Sequence, residues 1–169
     1  NPANPDIHYK CTAQEIIDDL DGDIDMVVMG VGTGGTITGV SKKLKEYNNN
    51  IKIIGIDPYG SILGGGSEIS PYKVEGIGYD FFPKVLDNNI IDKYVKVNDK
   101  DSFTMARRLI KEEGLFVGGS SGAAVWGAIK EASSLTSEQN CLVILPDSIR
   151  NYLSGFVDDD WMESNNFLD

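Results

Sequence analysis

Met26-Val27-Val28-Met29-Gly30-Val31-Gly32-Thr33-Gly34-Gly35-Thr36-Ile37-Thr38-Gly39 is the stretch that decides the fold. Its first six residues form a short apolar run between turn signals, the pattern of a strand buried on both faces of a parallel sheet. Glycines and threonines follow, and a helical stretch runs from Ile37 through Tyr47. Ile51-Lys52-Ile53-Ile54-Gly55-Ile56 reads as a second strand, closed by Asp57-Pro58. A β–loop–α–β unit of this length suits a crossover between parallel strands.

Upstream, Thr12 to Leu20 reads as a helix, with Thr12 as N-cap and Glu15 completing a capping box. Downstream, the four glycines between Gly60 and Gly66 make that segment loop. Lys93 to Val97 has strand periodicity. Asp101 then caps a helix that runs to about Glu113 and stops at Gly114. Leu115-Phe116-Val117 leads into Gly118-Gly119-Ser120-Ser121-Gly122. The next helix carries Ala123, Ala124, Gly127 and Ala128 on one face. Leu142 to Leu145 is the last clear strand, closed by Pro146-Asp147-Ser148. Strands alternating with helices predict an α/β three-layer sandwich, a mostly parallel sheet with helices on both faces.

Composition narrows the classes. The chain of 169 residues is long enough for one domain with a sizeable core. Its 26 acidic and 15 basic residues give a formal charge of −11, which argues against a nucleic acid or an anionic membrane as partner. The acidic runs Asp18-Asp19 with Asp21 and Asp23, and Asp158-Asp159-Asp160, read as solvated surface, and no metal site is expected. Cys11 and Cys141 lack metal spacing and read as reduced thiols of a cytoplasmic protein. The single His8 reads as a surface or core residue. No run reaches the roughly 20 apolar residues of a membrane span, and Asn1-Pro2-Ala3-Asn4-Pro5 has no signal-peptide character. Without an initiator methionine, the chain is expected to be a segment of a longer product.

Chemistry points to an anion. Gly32-Thr33-Gly34-Gly35-Thr36 joins a buried strand to a helix whose first N–H groups lack partners and carry positive partial charge. Two hydroxyls flank Gly34-Gly35, which favours a phosphate monoester needing several donors. A dinucleotide stays open: Gly30, Gly32 and Gly35 match its fingerprint, and Asp57 follows at roughly the required 20 residues. A Walker loop is excluded, because no Gly-Lys-Ser/Thr follows. Gly118 to Gly122 and Glu75-Gly76-Ile77-Gly78-Tyr79-Asp80 are further glycine-rich loops. All three can meet at the sheet's carboxyl edge. Ser120 and Ser121 can also be read as helix caps.

With Leu145-Pro146-Asp147-Ser148-Ile149-Arg150-Asn151-Tyr152 as a fourth, these segments resemble, in order, the cystathionine β-synthases. That family lies within the tryptophan-synthase-like, fold-type II group of pyridoxal-phosphate enzymes. The likeness runs from Asn4-Pro5 to Trp161-Met162; the glycine–threonine loop alone fits cysteine synthases too.

The resemblance implies a role for each segment. Gly32, Thr33, Gly34, Gly35 and Thr36 would hold the phosphate of pyridoxal 5'-phosphate, and Ser120 would meet its ring nitrogen. Pro146 and Asp147 would sit behind the ring, while Gly76, Gly78 and Tyr79 would line the substrate side. The implied reaction replaces the β hydroxyl of serine by the thiol of homocysteine to give cystathionine, in a homodimer. The family's Schiff-base lysine is expected upstream of Asn1, so residues 1–169 would be the C-terminal part of a catalytic core and inert alone. Lys42, Lys43 and Lys45 read as a solvated helix face instead. Any haem would also lie outside this segment. The missing lysine keeps a non-catalytic sensor on the same fold open.

Overall fold

A computed structural model describes residues 1–168. Four strands make one sheet: β1 (Met26–Gly30), β2 (Lys52–Pro58), β3 (Lys93–Val97) and β4 (Cys141–Val143). Their order is β3-β2-β1-β4, and every pair is parallel. The chain thus steps outward from β1 through β2 to β3, then returns to the other side of β1. In such sheets a crevice opens at the strands' carboxyl ends where the order reverses.

Alternation along the strands builds two cores. Met26 and Val28 of β1, with Ile54, Ile56, Val95 and Val97, face α4 (Asp99–Glu113) and α5 (Gly119–Ala132). Val27 and Met29, with Ile53, face α2 (Ala13–Asp19) and α3 (Gly35–Tyr47). Burying each such side chain is worth about 1.5–3 kcal/mol relative to exposure. Phe156 and Met162, the latter on α6 (Asp159–Ser164), extend the first core over Phe103. The three-layer α/β architecture read from the sequence is the one observed.

Several boundaries differ. The first helix begins at α1 (Ala3–Ile7) and passes through a π-turn over His8–Thr12 into α2. Thr12 is therefore inside a helix (φ −54°, ψ −46°) and caps nothing. Its hydroxyl lies 3.0 Å from His8 Nδ1. α4 starts at Asp99: Asn98 is the cap, accepting the Asp101 N–H at 2.8 Å. Asp99 is thereby free to accept the N–H groups of Lys73 and Val74, at 2.8 and 2.9 Å. Gly118 is the N-cap of α5, so Ser120 and Ser121 lie within its first turn and are not caps. β4 is shorter than read, although the Ile144 N–H still reaches Val28 O at 3.0 Å. On α3, Lys42 and Lys43 pack over the Tyr9 ring, and Lys45 pairs with Asp92 at 2.8 Å instead of lying free in solvent. Among the acidic runs, Asp158 caps α6 and Asp159 pairs with Arg107. Cys11 and Cys141 are free thiols. Among the described residues, no helix is long and apolar enough to cross a membrane.

The small face of α5 lets the helix approach α4 and the sheet closely. A Cβ on Gly122 would strike Ser102 O and come within 2.6 Å of Ala106 N, both backbone atoms that cannot swing aside. Gly122→Ala in the intact protein should therefore cost about 1–3 kcal/mol, read as a lower urea midpoint with an unchanged slope. An unchanged midpoint would mean that α4 and α5 are not packed this tightly.

Candidate functional site

The loop after β1 is shaped by its glycines. Gly34 adopts φ +83°, a left-handed conformation that side chains resist, and it serves as N-cap of α3. The first α3 amide bonded across this turn is Thr38, to Gly34 O at 3.0 Å. The N–H groups of Thr36 and Ile37 have no acceptor among the described residues. Thr33 is exposed, and Thr36 is half-buried. These are the donors a phosphate requires.

A second loop lies directly against the first. Gly78 (φ +81°) donates its N–H to Val31 O at 2.8 Å. A Cβ on Gly32 would meet Gly76 O at 2.6 Å, and one on Gly30 would meet Ile77 Cγ2 at the same distance. Tyr79 is half-buried, its ring tilted on Phe81 with centroids 4.9 Å apart. Gly78 and Tyr79 line a crevice of about 430 Å³ with Gly60, Tyr72 and Asp80. A larger cavity of about 500 Å³, lined by Arg107, Lys111 and Phe167 among others, shares no residue with these loops.

The third loop approaches from α5. Gly119 would put a Cβ 3.5 Å from Val74, close in sequence to the Gly76–Gly78 turn. Ser120 is only 4% exposed, and its hydroxyl forms no hydrogen bond among the described residues. Ser121 Oγ is buried without a partner as well. The segment after β4 closes this end. Gly118 donates to Asp147 O at 3.3 Å, and a side chain on Gly118 would strike Asp147 Oδ1. Tyr152 OH donates to Asp147 Oδ2, whereas Oδ1 is buried and unpartnered. Burial, then the Asp147 hydrogen bond and the nearby charges, push the Tyr152 phenol well above its ordinary value, so it remains a donor in mildly alkaline solution. Pro146 is exposed beside this pair.

The geometry thus brings the loops of Gly32–Thr36 and Gly76–Tyr79 into backbone contact, and joins Ser120's turn to Asp147. The unbonded amides at the start of α3 fit a phosphate monoester. The geometry does not favour a dinucleotide. Asp57 is fully buried: its Oδ2 is taken by Lys96 Nζ (2.6 Å) and the Gly64 N–H (2.8 Å), and its unpartnered Oδ1 is buried too, so neither oxygen faces a ribose. Gly30 is explained by Ile77 packing on it.

Comparison with known proteins agrees. Residues 1–147 match the family described as "Pyridoxal-phosphate dependent enzyme". The chain belongs to that family. It is 51% identical over 173 aligned positions to a cystathionine beta-synthase of Dictyostelium discoideum, and 54% over 172 to that of Apis mellifera. These alignments take in 100% and 99% of the chain but 35% and 34% of the relatives, so it spans about a third of their length. Among solved structures, an O-acetylserine dependent cystathionine beta-synthase from Helicobacter pylori superposes with TM-score 0.86 at 43% identity, over 91% of this chain and 50% of that one. An O-ureido-L-serine synthase does so with TM-score 0.88 at 35% identity, over 97% and 54%.

Three residues that hold these loops from outside escaped the sequence reading. The Asn4 side chain packs against Gly35 and donates to Thr33 Oγ1 at 3.2 Å. His8 Nε2 sits 3.1 Å from Thr36 Oγ1, which places this histidine behind the loop and gives it more than a surface role. Ser61 holds Tyr79 through its backbone. The i, i+4 pair His8 and Thr12 was the available signal, but a π-turn is not readable from spacing. Gly32→Ala should force the first two loops apart. Hydrogen exchange at the Gly78 amide should then rise by about tenfold or more, the loss of one buried hydrogen bond. Unchanged exchange would refute the close contact.

Proposed function

We propose that residues 1–169 are the C-terminal part of the catalytic core of a cystathionine β-synthase, and that the lysine bonding the cofactor lies upstream of Asn1. The observation that carries this reading is the backbone contact between the loop of Gly32–Thr36 and that of Gly76–Tyr79 at the carboxyl end of β1. The first offers unbonded amides at the start of α3, and Ser120, 4% exposed in the first turn of α5, has a hydroxyl with no hydrogen bond among the described residues. The names of the curated relatives support the same activity.

When bound, pyridoxal phosphate supplies an electron sink that weakens the bonds at the Cα and Cβ of an amino acid. The chain's own residues do the rest. Gly32, Thr33, Gly34, Gly35 and Thr36 grip the phosphate by backbone N–H and hydroxyl groups, with the α3 dipole favouring the dianion. Ser120 would offer the ring nitrogen a neutral hydroxyl. A neutral hydroxyl bonded to the ring nitrogen would hold no proton on it as a carboxylate would, which suits β-replacement over transamination. Pro146 and Asp147 would back the ring, Asp147 being fixed by Tyr152. Gly76, Gly78 and Tyr79 close the substrate side and exclude water. The substrates are serine and homocysteine, and the working protein is a cytoplasmic homodimer.

A second reading differs only in the leaving group. The Helicobacter pylori relative is an O-acetylserine dependent enzyme. The full-length protein, supplied with pyridoxal phosphate, should form cystathionine from serine and homocysteine. Turnover confined to O-acetylserine would favour the second reading, and none with either donor would refute both. Ser120→Ala should lower turnover by about tenfold or more, the scale of a lost buried hydrogen bond, and shift the cofactor's absorbance while phosphate retention persists. Unchanged turnover and spectrum would remove Ser120 from the ring nitrogen.

A further inference from the structure

Asp57, Lys96 and Ser61 are buried or half-buried polar residues at the carboxyl ends of β2 and β3 that grip no part of the crevice themselves. They are nevertheless bonded in series. Lys96 Nζ donates to Asp57 Oδ2 at 2.6 Å, to Ser61 O at 2.5 Å and to Pro58 O at 3.3 Å. Asp57 Oδ2 also accepts the Gly64 N–H, so the loop from 58 to 64 is tied at both ends to one ion pair.

Ser61 carries that fixation onward. It is 2% exposed, and its hydroxyl accepts the N–H of Tyr79 at 2.9 Å while donating to Tyr79 O at 3.0 Å. It accepts the Leu63 N–H as well, at 3.3 Å, so the hydroxyl's single proton and both its lone pairs are engaged. Tyr79 O has a second donor, the Ile62 N–H at 3.0 Å, but its own N–H has Ser61 alone. The residue before it, Gly78, is pinned to Val31 O. The Tyr79 backbone is thus held between the phosphate-side loop and the Ser61 hydroxyl.

We infer that Ser61, anchored by the Asp57–Lys96 pair, is a positioning residue that sets Tyr79 over the substrate side of the crevice. This rests on the substrate-side reading of Tyr79 given above. Removing the hydroxyl frees the Tyr79 N–H and leaves its carbonyl tied to Ile62, so the ring turns without the loop unravelling. The consequence falls on substrate binding and spares the cofactor.

The test uses the full-length holoenzyme with Ser61→Ala, Tyr79→Phe and the double variant. In Ser61→Ala, the peptide covering residues 75–82 should exchange its amide hydrogens faster. The KM for serine should rise about tenfold, the scale of one buried hydrogen bond, with kcat and cofactor content little changed. Ser61→Thr, which keeps the hydroxyl, should restore both readings. In the double variant KM should rise no further than in the worse single one, because both act through one ring. Should Ser61→Ala not fold, Ser61→Cys, with a weaker donor and acceptor, carries the same expectations in reduced size. An unchanged KM in Ser61→Ala, beside a raised KM in Tyr79→Phe, overturns the inference alone. So do fully additive effects. An unchanged KM in Tyr79→Phe overturns the substrate-side reading and the inference with it.

Discussion

Gly78 donates its N–H to Val31 O across 2.8 Å, and that bond seals two loops together at the carboxyl end of β1. Everything around it is arranged so that the backbones can come this close. Gly32 leaves room for Gly76 O, Gly30 for Ile77, and Gly78 itself takes a left-handed conformation. On the other side Gly118 gives way to Asp147 and Gly119 to Phe103. Backbone thus forms much of the contact between these loops. This explains why so many glycines gather at one edge of the sheet and so few inside the strands.

The position of that edge follows from the sheet order. Because β2 and β3 lie on one side of β1 and β4 on the other, the chain parts at the carboxyl end of β1. The β1 loop therefore sits at the centre, with α3 starting from it, while the segment after β4 meets Gly118 at the start of α5. Each helix brings its N-terminus toward the crevice, so the partial charges of α3 and α5 add on the same side.

Much of this was legible in the residues themselves. The apolar run Met26–Val31 announces the buried parallel strand, and the Gly32–Thr36 turn the start of the helix that follows it. Helix boundaries were less so. Thr12 and Glu15 obey the spacing of a capping box, yet the helix runs through them from Ala3, with a π-turn absorbing the mismatch. Asp57 matched a ribose-binding residue in type and spacing, and tertiary structure turned it inward to Lys96 instead. Ser61, within Gly60-Ser61-Ile62-Leu63-Gly64, looks like any loop serine. Its importance comes from Tyr79, which is distant in sequence, and no local pattern could show that. Asn4 and His8 were hidden for the same reason: they act on Thr33 and Thr36 from a separate helix.

On the proposed reading these residues grip a phosphate and a ring, and the lysine that bonds to the cofactor lies elsewhere in the protein. Lys96, at the carboxyl end of β3, is committed to Asp57 and two carbonyls. The central claim is therefore a division of labour, in which this segment holds the cofactor and a lysine elsewhere in the protein carries it. Borohydride reduction of the full-length native protein, followed by peptide mapping, tests it most directly. A pyridoxyl-modified lysine outside residues 1–169 is the predicted result. A modified lysine within them, or none in folded protein, would contradict it.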